Sequence, residues 1–346
     1  MRGRRHIFGA TMVVLMGVGG LFGGPMSRAS AADSVKFLLD WLPYGKHAPF
    51  YAGVDEGIYK QYGLDVKVVS GKGSGLSIKT VAGKGVDFGH ADTGSLILAR
   101  ANDPNLPVKL ISMLHHKALF TAVVLTKSGI KSPKELEGKK IGSSVVNSSR
   151  IVFPAFAEAA GFDAKKVTWV DMASSSQNAS LFSEKVDAIV TYVTQLGPLG
   201  RMAKKTGKTL KSFPYADYGL DVYSNGIIAH DDTIKNRGAL ARRFVIASLE
   251  AIRWSAENPS KAVGAFLKRH PSTDQVIAKA QFDTSIDVLL TKITAKTGIG
   301  FIDRDKMQRT VDLMLRFNKG LKRKPTANEI FTNELVAVFP KKGKAM

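Results

Sequence analysis

Aromatic and polar residues follow closely after the first apolar run of the chain. Asp40 and Trp41 come first, and Tyr44, His47 and Tyr51 lie within the next ten residues. Indole and phenol rings offer flat faces for stacking, and a carboxylate accepts hydrogen bonds from ring N–H or amino groups. An imidazole can bond through either nitrogen. These residues predict a site for a small planar molecule; core packing is the alternative role for Trp41, and capping or solvation for His47.

Serine residues open two predicted helices. Ser74 lies in a Gly-Ser-Gly loop, and Ser148, Ser149 and Arg150 form a second helix start. Backbone N–H groups at helix N-termini suit an anion or a carbonyl oxygen, and an arginine can pair with a sulfonate, carboxylate or phosphate. Plain N-capping is the alternative role of the serines. An anionic ligand is therefore an alternative to a neutral planar ligand.

Three further polar residues lie near predicted strand ends. Asp92 follows the third strand, Tyr192 follows the strand at 186–190, and Asn225 lies in a later connection. Ligands of open α/β sheets bind outside the carboxyl ends of strands. We therefore add these three residues to the predicted binding site, with helix capping and packing between domains as their alternatives.

Alternating strand and helix signals must position these residues. Short apolar runs predict strands, and apolar residues at helical spacing predict helices between them. A first block has strands at 35–39, 64–69 and 86–90, with helices at 48–62 and 76–82. A second has strands at 140–142, 167–170 and 186–190, with helices at 148–160 and from 176. Helices then follow at 239–254, 259–268, 303–317 and 328–338. The pattern predicts an α/β protein with two parallel βαβ blocks and a helical tail.

Composition excludes several functions. The chain has no Cys, which removes disulfides, zinc–thiolate sites, iron–sulfur clusters and a cysteine nucleophile. Its net charge of +21 comes from dispersed clusters without interleaved aromatic residues, so we expect solvated surfaces and no nucleic-acid partner, with polyanion binding as the alternative. The adjacent His115 and His116 would face opposite sides of a strand and make a poor metal pair. With no metalloprotease, hydrolase or dinucleotide motif, we expect no catalytic residue, metal or cofactor.

The first 32 residues resemble an export signal. Arg2, Arg4 and Arg5 precede an apolar stretch at 7–22, and Ala-Ser-Ala at 29–31 offers a cleavage site. These features predict a Sec signal peptide over residues 1–32 with cleavage after residue 31; a membrane anchor is the alternative. Losing the four arginines of this segment lowers the net charge to +17. We therefore expect a periplasmic protein.

Five segments, in this order, are similar to those of one transport family. They are Leu-Asp-Trp-Leu-Pro-Tyr-Gly-Lys-His-Ala-Pro-Phe-Tyr-Ala-Gly at 39–53, Glu-Gly-Ile-Tyr-Lys-Gln-Tyr-Gly-Leu-Asp-Val at 56–66, Gly-Val-Asp-Phe-Gly-His-Ala-Asp at 85–92, Ser-Pro-Lys-Glu-Leu-Glu-Gly-Lys-Lys-Ile-Gly at 132–142 and Lys-Val-Asp-Ala-Ile at 185–189. The chain resembles the periplasmic substrate-binding proteins of ABC transporters in the nitrate/sulfonate/taurine and thiamin-pyrimidine-precursor (NMT1/THI5-like) family. Residues 39–51 are most similar to the thiamin-precursor branch.

This resemblance implies the two-lobed type II periplasmic binding protein fold, in which the chain crosses twice between the lobes. We place the crossings at 123–127 and 223–228, which gives lobe one as 33–125 plus 226–346 and lobe two as 126–225. The C-terminal helices then cover lobe one and reach over the hinge.

The resemblance also implies a function, namely that of a monomeric solute-binding protein that delivers a small molecule to an ABC permease. A thiamin-pyrimidine precursor or a flavin-like vitamin is the favoured ligand, and an alkyl sulfonate, taurine or an aromatic acid is the alternative. The related fungal pyrimidine synthase depends on a Cys-rich motif that this chain lacks, so we expect no enzyme activity.

Overall fold

A computed structural model of the protein describes residues 31–318 and 320–336. Nearly all of the predicted signal peptide, including its apolar stretch, lies outside the described residues. No helix in the described part is both long enough and apolar enough to cross a membrane.

Two five-stranded sheets form the framework of the described chain. Its strands are β1 Asp33–Leu38, β2 Leu64–Val69, β3 Phe88–Asp92, β4 Val108–Met113, β5 Phe120–Leu125, β6 Lys140–Ser143, β7 Thr168–Asp171, β8 Ala188–Tyr192, β9 Leu210–Pro214 and β10 Asn225–His230. The first sheet has the order β2-β1-β3-β10-β4, and the second has β7-β6-β8-β5-β9. In each sheet the βα units are parallel, and the strand that arrives from the other half of the chain, β10 or β5, is antiparallel to both of its neighbours.

Helices cover both sheets. They are α1 Ala48–Asp55, α2 Ile58–Gln61, α3 Ser74–Ala82, α4 Thr93–Asn102, α5 Ser148–Ile151, α6 Phe153–Ala159, α7 Gln177–Phe182, α8 Leu196–Lys205, α9 Asp231–Asn236, α10 Gly238–Glu257, α11 Pro259–Arg269, α12 Gln275–Leu289, α13 Lys292–Thr297, α14 Arg304–Phe317 and α15 Ala327–Ile330. A 3-10 turn at Gly45–His47 precedes α1, and another at Pro133–Leu136 precedes β6.

The predicted α/β class with two lobes is confirmed, but the lobes meet at different residues. Strand β5 pairs with β8 and β9 of the second sheet along its whole length, so the first connection between the sheets is 114–119 rather than 123–127. The second connection follows β9 and ends where β10 begins at Asn225. Apart from Thr121, residues 118–125 are all apolar, and all of β5 is buried. The polar residues after 125 mark the end of that buried strand, which the sequence cannot distinguish from a boundary between lobes.

Other differences have local causes. The predicted helix at 148–160 divides at Val152, because Pro154 lacks a backbone N–H and occupies the first turn of a new helix. The predicted helix at 48–62 divides at Glu56-Gly57 into α1 and α2. Of the helix predicted at 328–338, the structure has only α15 at 327–330, and residues from 337 lie outside the described chain.

A continuous apolar cluster joins the two sheets. It contains Met113 from β4, Phe120 from β5 and Tyr215 from the second connection, all fully buried. Tyr215 stacks on Phe156 of α6 with ring centroids 3.9 Å apart. Helix α14 contacts α4 above the first sheet and α6 above the second. The two halves therefore share packed side chains as well as two connecting segments.

Candidate functional site

A small cavity lies between the loops that follow β1, β6 and β8. Its walls come from both halves of the fold: Asp40, Trp41 and Tyr44 on one side, and Asn147, Ser148, Thr191, Tyr192 and Gln195 on the other. The space, including its mouth, is about 280 Å³. Five of these residues, at positions 40, 41, 44, 148 and 192, belong to the site that the sequence predicts.

Glycine allows the two halves to approach each other beside this cavity. Gly73 has φ +140°, and a Cβ atom there would lie 2.2 Å from the carbonyl oxygen of Val146. The N–H of Gly75 donates to the same oxygen at 3.2 Å. Any side chain at position 73 would therefore push lobe one away from lobe two.

Asp40 is the centre of a buried polar network. Its Oδ1 lies 2.8 Å from His47 Nε2 and 3.0 Å from His90 Nδ1, and its Oδ2 accepts from Lys46 Nζ at 2.6 Å and Asn225 Nδ2 at 2.9 Å. Burial opposes ionisation, but the positive charge of Lys46, together with the interactions of His90 and the hydrogen bond from His47, holds the pKa of Asp40 well below its usual value. Both oxygens are occupied within the protein. Asp40 therefore orients its neighbours, which differs from the predicted role of accepting hydrogen bonds from a ligand.

His47 belongs to this network and does not line the cavity. Its Nδ1 accepts from the backbone N–H of Tyr44 at 3.3 Å, and burial lowers its pKa to about 4. The ring is therefore neutral at pH 7, with its proton on Nε2 facing Asp40. Asn225, also predicted, contacts Asp40 in the same way from β10.

Donor atoms of Asp40, His47 and His90 lie within 4.8 Å of one another, close enough to consider a metal ion. A histidine that binds a metal through Nε2 must carry its proton on Nδ1. The Tyr44 N–H faces His47 Nδ1 and requires the opposite tautomer, and Lys46 already pairs with Asp40. The geometry favours a hydrogen-bonded network over a metal site.

The second half supplies a neutral polar wall. Tyr192 OH and Ser148 Oγ are 2.7 Å apart, and both line the cavity. Asn147 caps α5 by accepting from the Ser149 N–H at 2.9 Å. N-capping, the alternative role that the sequence analysis gives to the serines, is therefore carried out at this helix by an asparagine. The hydroxyl of Ser149 donates to the Thr191 carbonyl and is thus directed at β8.

Arg150 lies away from the cavity. Its guanidinium contacts Asp171 at 2.5 Å and lies 4.7 Å from the ring centre of Trp169. It lines a separate groove on lobe two together with Phe153 and other residues. The predicted pairing of Arg150 with a bound anion finds no support in this placement.

Three other predicted residues also lie outside the lining. Tyr51 packs on Phe266, and Ser74 Oγ accepts from the backbone N–H of Asp92 at 3.0 Å. Asp92 caps α4 by accepting from Ser95 N at 2.7 Å. Burial raises the pKa of Asp92 to about 7, although the hydrogen bonds from Ser95 oppose that rise. In these contacts Ser74 and Asp92 support the base of lobe one.

The sequence analysis missed Asn147 and Gln195 of the lining. Gln195 lies three residues after Tyr192, the last residue of β8, so the position after a strand could have identified it. Gln281, in the middle of α12, carries no such signal. It accepts from Gly45 N at 3.0 Å and donates from Nε2 to Gln195 Oε1 at 3.1 Å, which links α12 to both walls of the cavity.

Comparisons with known proteins agree with this architecture. A family model described as NMT1/THI5 like matches residues 45–262. The formylaminopyrimidine-binding protein of Halalkalibacterium halodurans is 26% identical over 274 residues, covering 79% of this chain and 81% of that protein. The riboflavin-binding protein RibY of Chloroflexus aurantiacus is 26% identical over 311 residues, covering 88% and 86%.

Relatives of a different kind also match. A 4-amino-5-hydroxymethyl-2-methylpyrimidine phosphate synthase of Saccharomyces cerevisiae is 23% identical over 262 residues, covering 73% of this chain and 76% of that protein. Among solved structures, the periplasmic nitrate-binding protein NrtA of Synechocystis superposes with a TM-score of 0.66 at 13% identity, covering 88% of this chain and 87% of that one. That likeness concerns the fold.

Proposed function

Because the chain belongs to the NMT1/THI5-like family, we propose that it is the solute-binding component of an ABC importer and captures a neutral, single-ring heteroaromatic molecule. A thiamin-pyrimidine precursor is the ligand class that we favour. The molecule binds in the cavity between the lobes and is delivered to a membrane permease without chemical change.

The lining of the cavity is the observation that carries this proposal. Trp41, Tyr44 and Tyr192 offer aromatic surface, and the amide and hydroxyl groups around them offer hydrogen bonds without net charge. Asp40 is the one charged residue of the lining, and Lys46 neutralises it. A flat, uncharged ring with polar substituents matches such a surface.

Size and charge support one ligand class over the others. The enclosed part of the cavity has a volume of about 20 Å³, far smaller than the ~300–1,000 Å³ of pockets for drug-sized ligands. A single pyrimidine ring suits this space better than a three-ring flavin. Arg150, the cation that the sequence predicts for a sulfonate or carboxylate, pairs with Asp171 outside the cavity.

Binding is also favoured over catalysis. Two of the relatives above are named binding proteins, whereas the yeast relative is named a synthase. The predicted dependence of the fungal enzyme on a Cys-rich motif weighs against the enzyme, because this chain contains no Cys. We further propose that the protein acts as a monomer in the periplasm after removal of its signal peptide.

Native mass spectrometry and calorimetry test this function. The purified protein should carry or bind 4-amino-5-hydroxymethyl-2-methylpyrimidine or its formylamino analogue, and should return the compound unchanged after incubation. Riboflavin and taurine serve as comparison ligands. Tight binding of taurine alone would refute the neutral ligand class, binding of riboflavin alone would refute the single ring, and turnover of the pyrimidine would refute the transport role.

A further inference from the structure

Helix α12 lies very close to Gly45, in the loop after β1 that lines the cavity. A Cβ atom on Gly45 would lie 2.0 Å from the carbonyl oxygen of Ala278, so only glycine permits this contact. The approach brings the buried side chain of Gln281 against the loop, where its Oε1 accepts from the Gly45 N–H at 3.0 Å.

This contact fixes the direction of a hydrogen-bond chain. A backbone N–H can only donate, so the oxygen of the Gln281 amide must face Gly45 and its nitrogen must face away. That nitrogen lies 3.1 Å from Gln195 Oε1 and donates to it. The amide of Gln195 is oriented in turn, with its own nitrogen directed away from Gln281.

The nitrogen of Gln195 carries two N–H groups. Tyr44 is a neighbour of this side chain: burial raises the pKa of Tyr44, and hydrogen bonds with Thr194 and Gln195 oppose that rise. Since Gln195 lines the cavity and its nitrogen is directed away from Gln281, an N–H of this amide is available to a bound molecule.

We infer that Gln281 is a positioning residue that sets the hydrogen-bond polarity of the cavity, so that a bound molecule must place an acceptor, such as a ring nitrogen or a carbonyl oxygen, against Gln195. This inference rests on the proposed function, because it assumes that the ligand occupies this cavity. Gln281 itself acts through Gln195 and lies outside the lining.

An isosteric change at position 281 reverses the direction of this hydrogen-bond chain. In Gln281→Glu, a carboxylate accepts from Gly45 N and can only accept from Gln195, whose amide must then rotate and present its oxygen to the cavity. Gln195→Glu places an acceptor there directly and, at a half-buried position, is the variant better tolerated by the fold. Gln308→Glu is the matched control, because Gln308 also accepts from a backbone N–H, that of Ala327 at 3.0 Å, but lies on α14.

Neutron diffraction from crystals of the full protein shows the orientation of the Gln195 amide in the absence of any ligand. We expect deuterium density on the Gln195 atom that faces the cavity in the wild type, and on the opposite atom in Gln281→Glu. An oxygen facing the cavity in the wild type, or an unchanged orientation in folded Gln281→Glu, would overturn the inference.

Binding provides the second test, with a pair of probes that differ in one donor. They are 4-amino-5-hydroxymethyl-2-methylpyrimidine and its 4-methoxy counterpart, which keeps the ring acceptors but lacks the exocyclic N–H groups. The ratio of the methoxy Kd to the amino Kd should rise tenfold or more in Gln281→Glu and in Gln195→Glu, and stay unchanged in Gln308→Glu. Ratios equal to the wild type in both cavity variants would refute the inference. If the wild type binds neither probe, the proposed pyrimidine function fails, while the diffraction result still decides the polarity.

Discussion

Replacing Asp40 with asparagine should destabilise the fold far more than the same replacement at a surface ion pair. Asp40 and Lys46 are both buried, with Oδ2 and Nζ 2.6 Å apart. Asn at position 40 leaves the ammonium of Lys46 without a counter-charge in a site that water does not reach. Removing one partner of a buried pair costs about 3–5 kcal/mol in the free energy of unfolding.

Asp171→Asn is the control for this experiment. The Asp171–Arg150 pair has a similar distance of 2.5 Å, but the Asp171 side chain is 67% exposed, and removing a surface pair costs about 0–1 kcal/mol. Urea unfolding followed by tryptophan fluorescence gives both values on one scale. The difference between the variants should be at least about 2 kcal/mol, as follows from these two ranges.

A double variant tests the cause. Lys46→Met removes the ammonium, so adding it to Asp40→Asn should restore part of the lost stability, and the two changes should cost less together than the sum of each alone. The reasoning is refuted if Asp40→Asn costs no more than Asp171→Asn, or if the two changes at positions 40 and 46 are additive.

Three more predictions concern the ligand and pH. Trp41→Ala should weaken pyrimidine binding by about 1–3 kcal/mol in calorimetry, because a stacking surface is lost. Trp254→Ala, on α10, is the control and should leave the affinity unchanged. Equal affinities of the wild type and Trp41→Ala would show that Trp41 packs in the core and does not stack on the ligand. Arg150→Ala should change the Kd for the pyrimidine less than twofold in the same assay, and a larger loss would show that the guanidinium reaches the ligand. Burial raises the pKa of Asp92 to about 7, from about 4 in the unfolded chain. The folded state therefore holds the proton more tightly, so Asp92 stabilises the fold below pH 4 and loses that contribution as the pH rises to about 7. Urea unfolding of the wild type relative to Asp92→Asn should therefore show a free energy that declines between pH 4 and 7, and a constant difference would contradict the shift.

Local sequence patterns predicted much of the fold because each reports a local property. The strands at 64–69 and 140–143 and the helices at 259–269 and 304–317 lie within one or two residues of their predicted bounds, where apolar spacing and capping residues agree. Strands β4, β5, β9 and β10 were not predicted. Strands β9 and β10 carry few continuous apolar residues and owe their pairing to distant partners.

Position after a strand was one signal that predicted lining residues, and the helix start at Ser148 was another. The first signal found Tyr192 and could have found Gln195. It also selected Asp40, but sequence spacing cannot show that four side chains surround one carboxylate, because Asn225 comes from a strand 185 residues away. The direction of Arg150 depends on Trp169 and Asp171, on a neighbouring strand, which no local pattern reveals.

The position of β10 in the first sheet has a consequence for the order in which the protein assembles. The second sheet uses strands from one continuous stretch, 120 to 214, whereas the first has β10 between β3 and β4. The chain emerges N-terminal end first, so residues 33–113 supply strands β1 to β4 early. Strand β10, which lies between β3 and β4, is missing until residue 230 is available. The unfinished sheet then exposes two unpaired strand edges, which are sites for aggregation. The later half, although synthesised second, can complete its sheet first, whereas the sheet of residues 33–113 stays incomplete until β10 arrives.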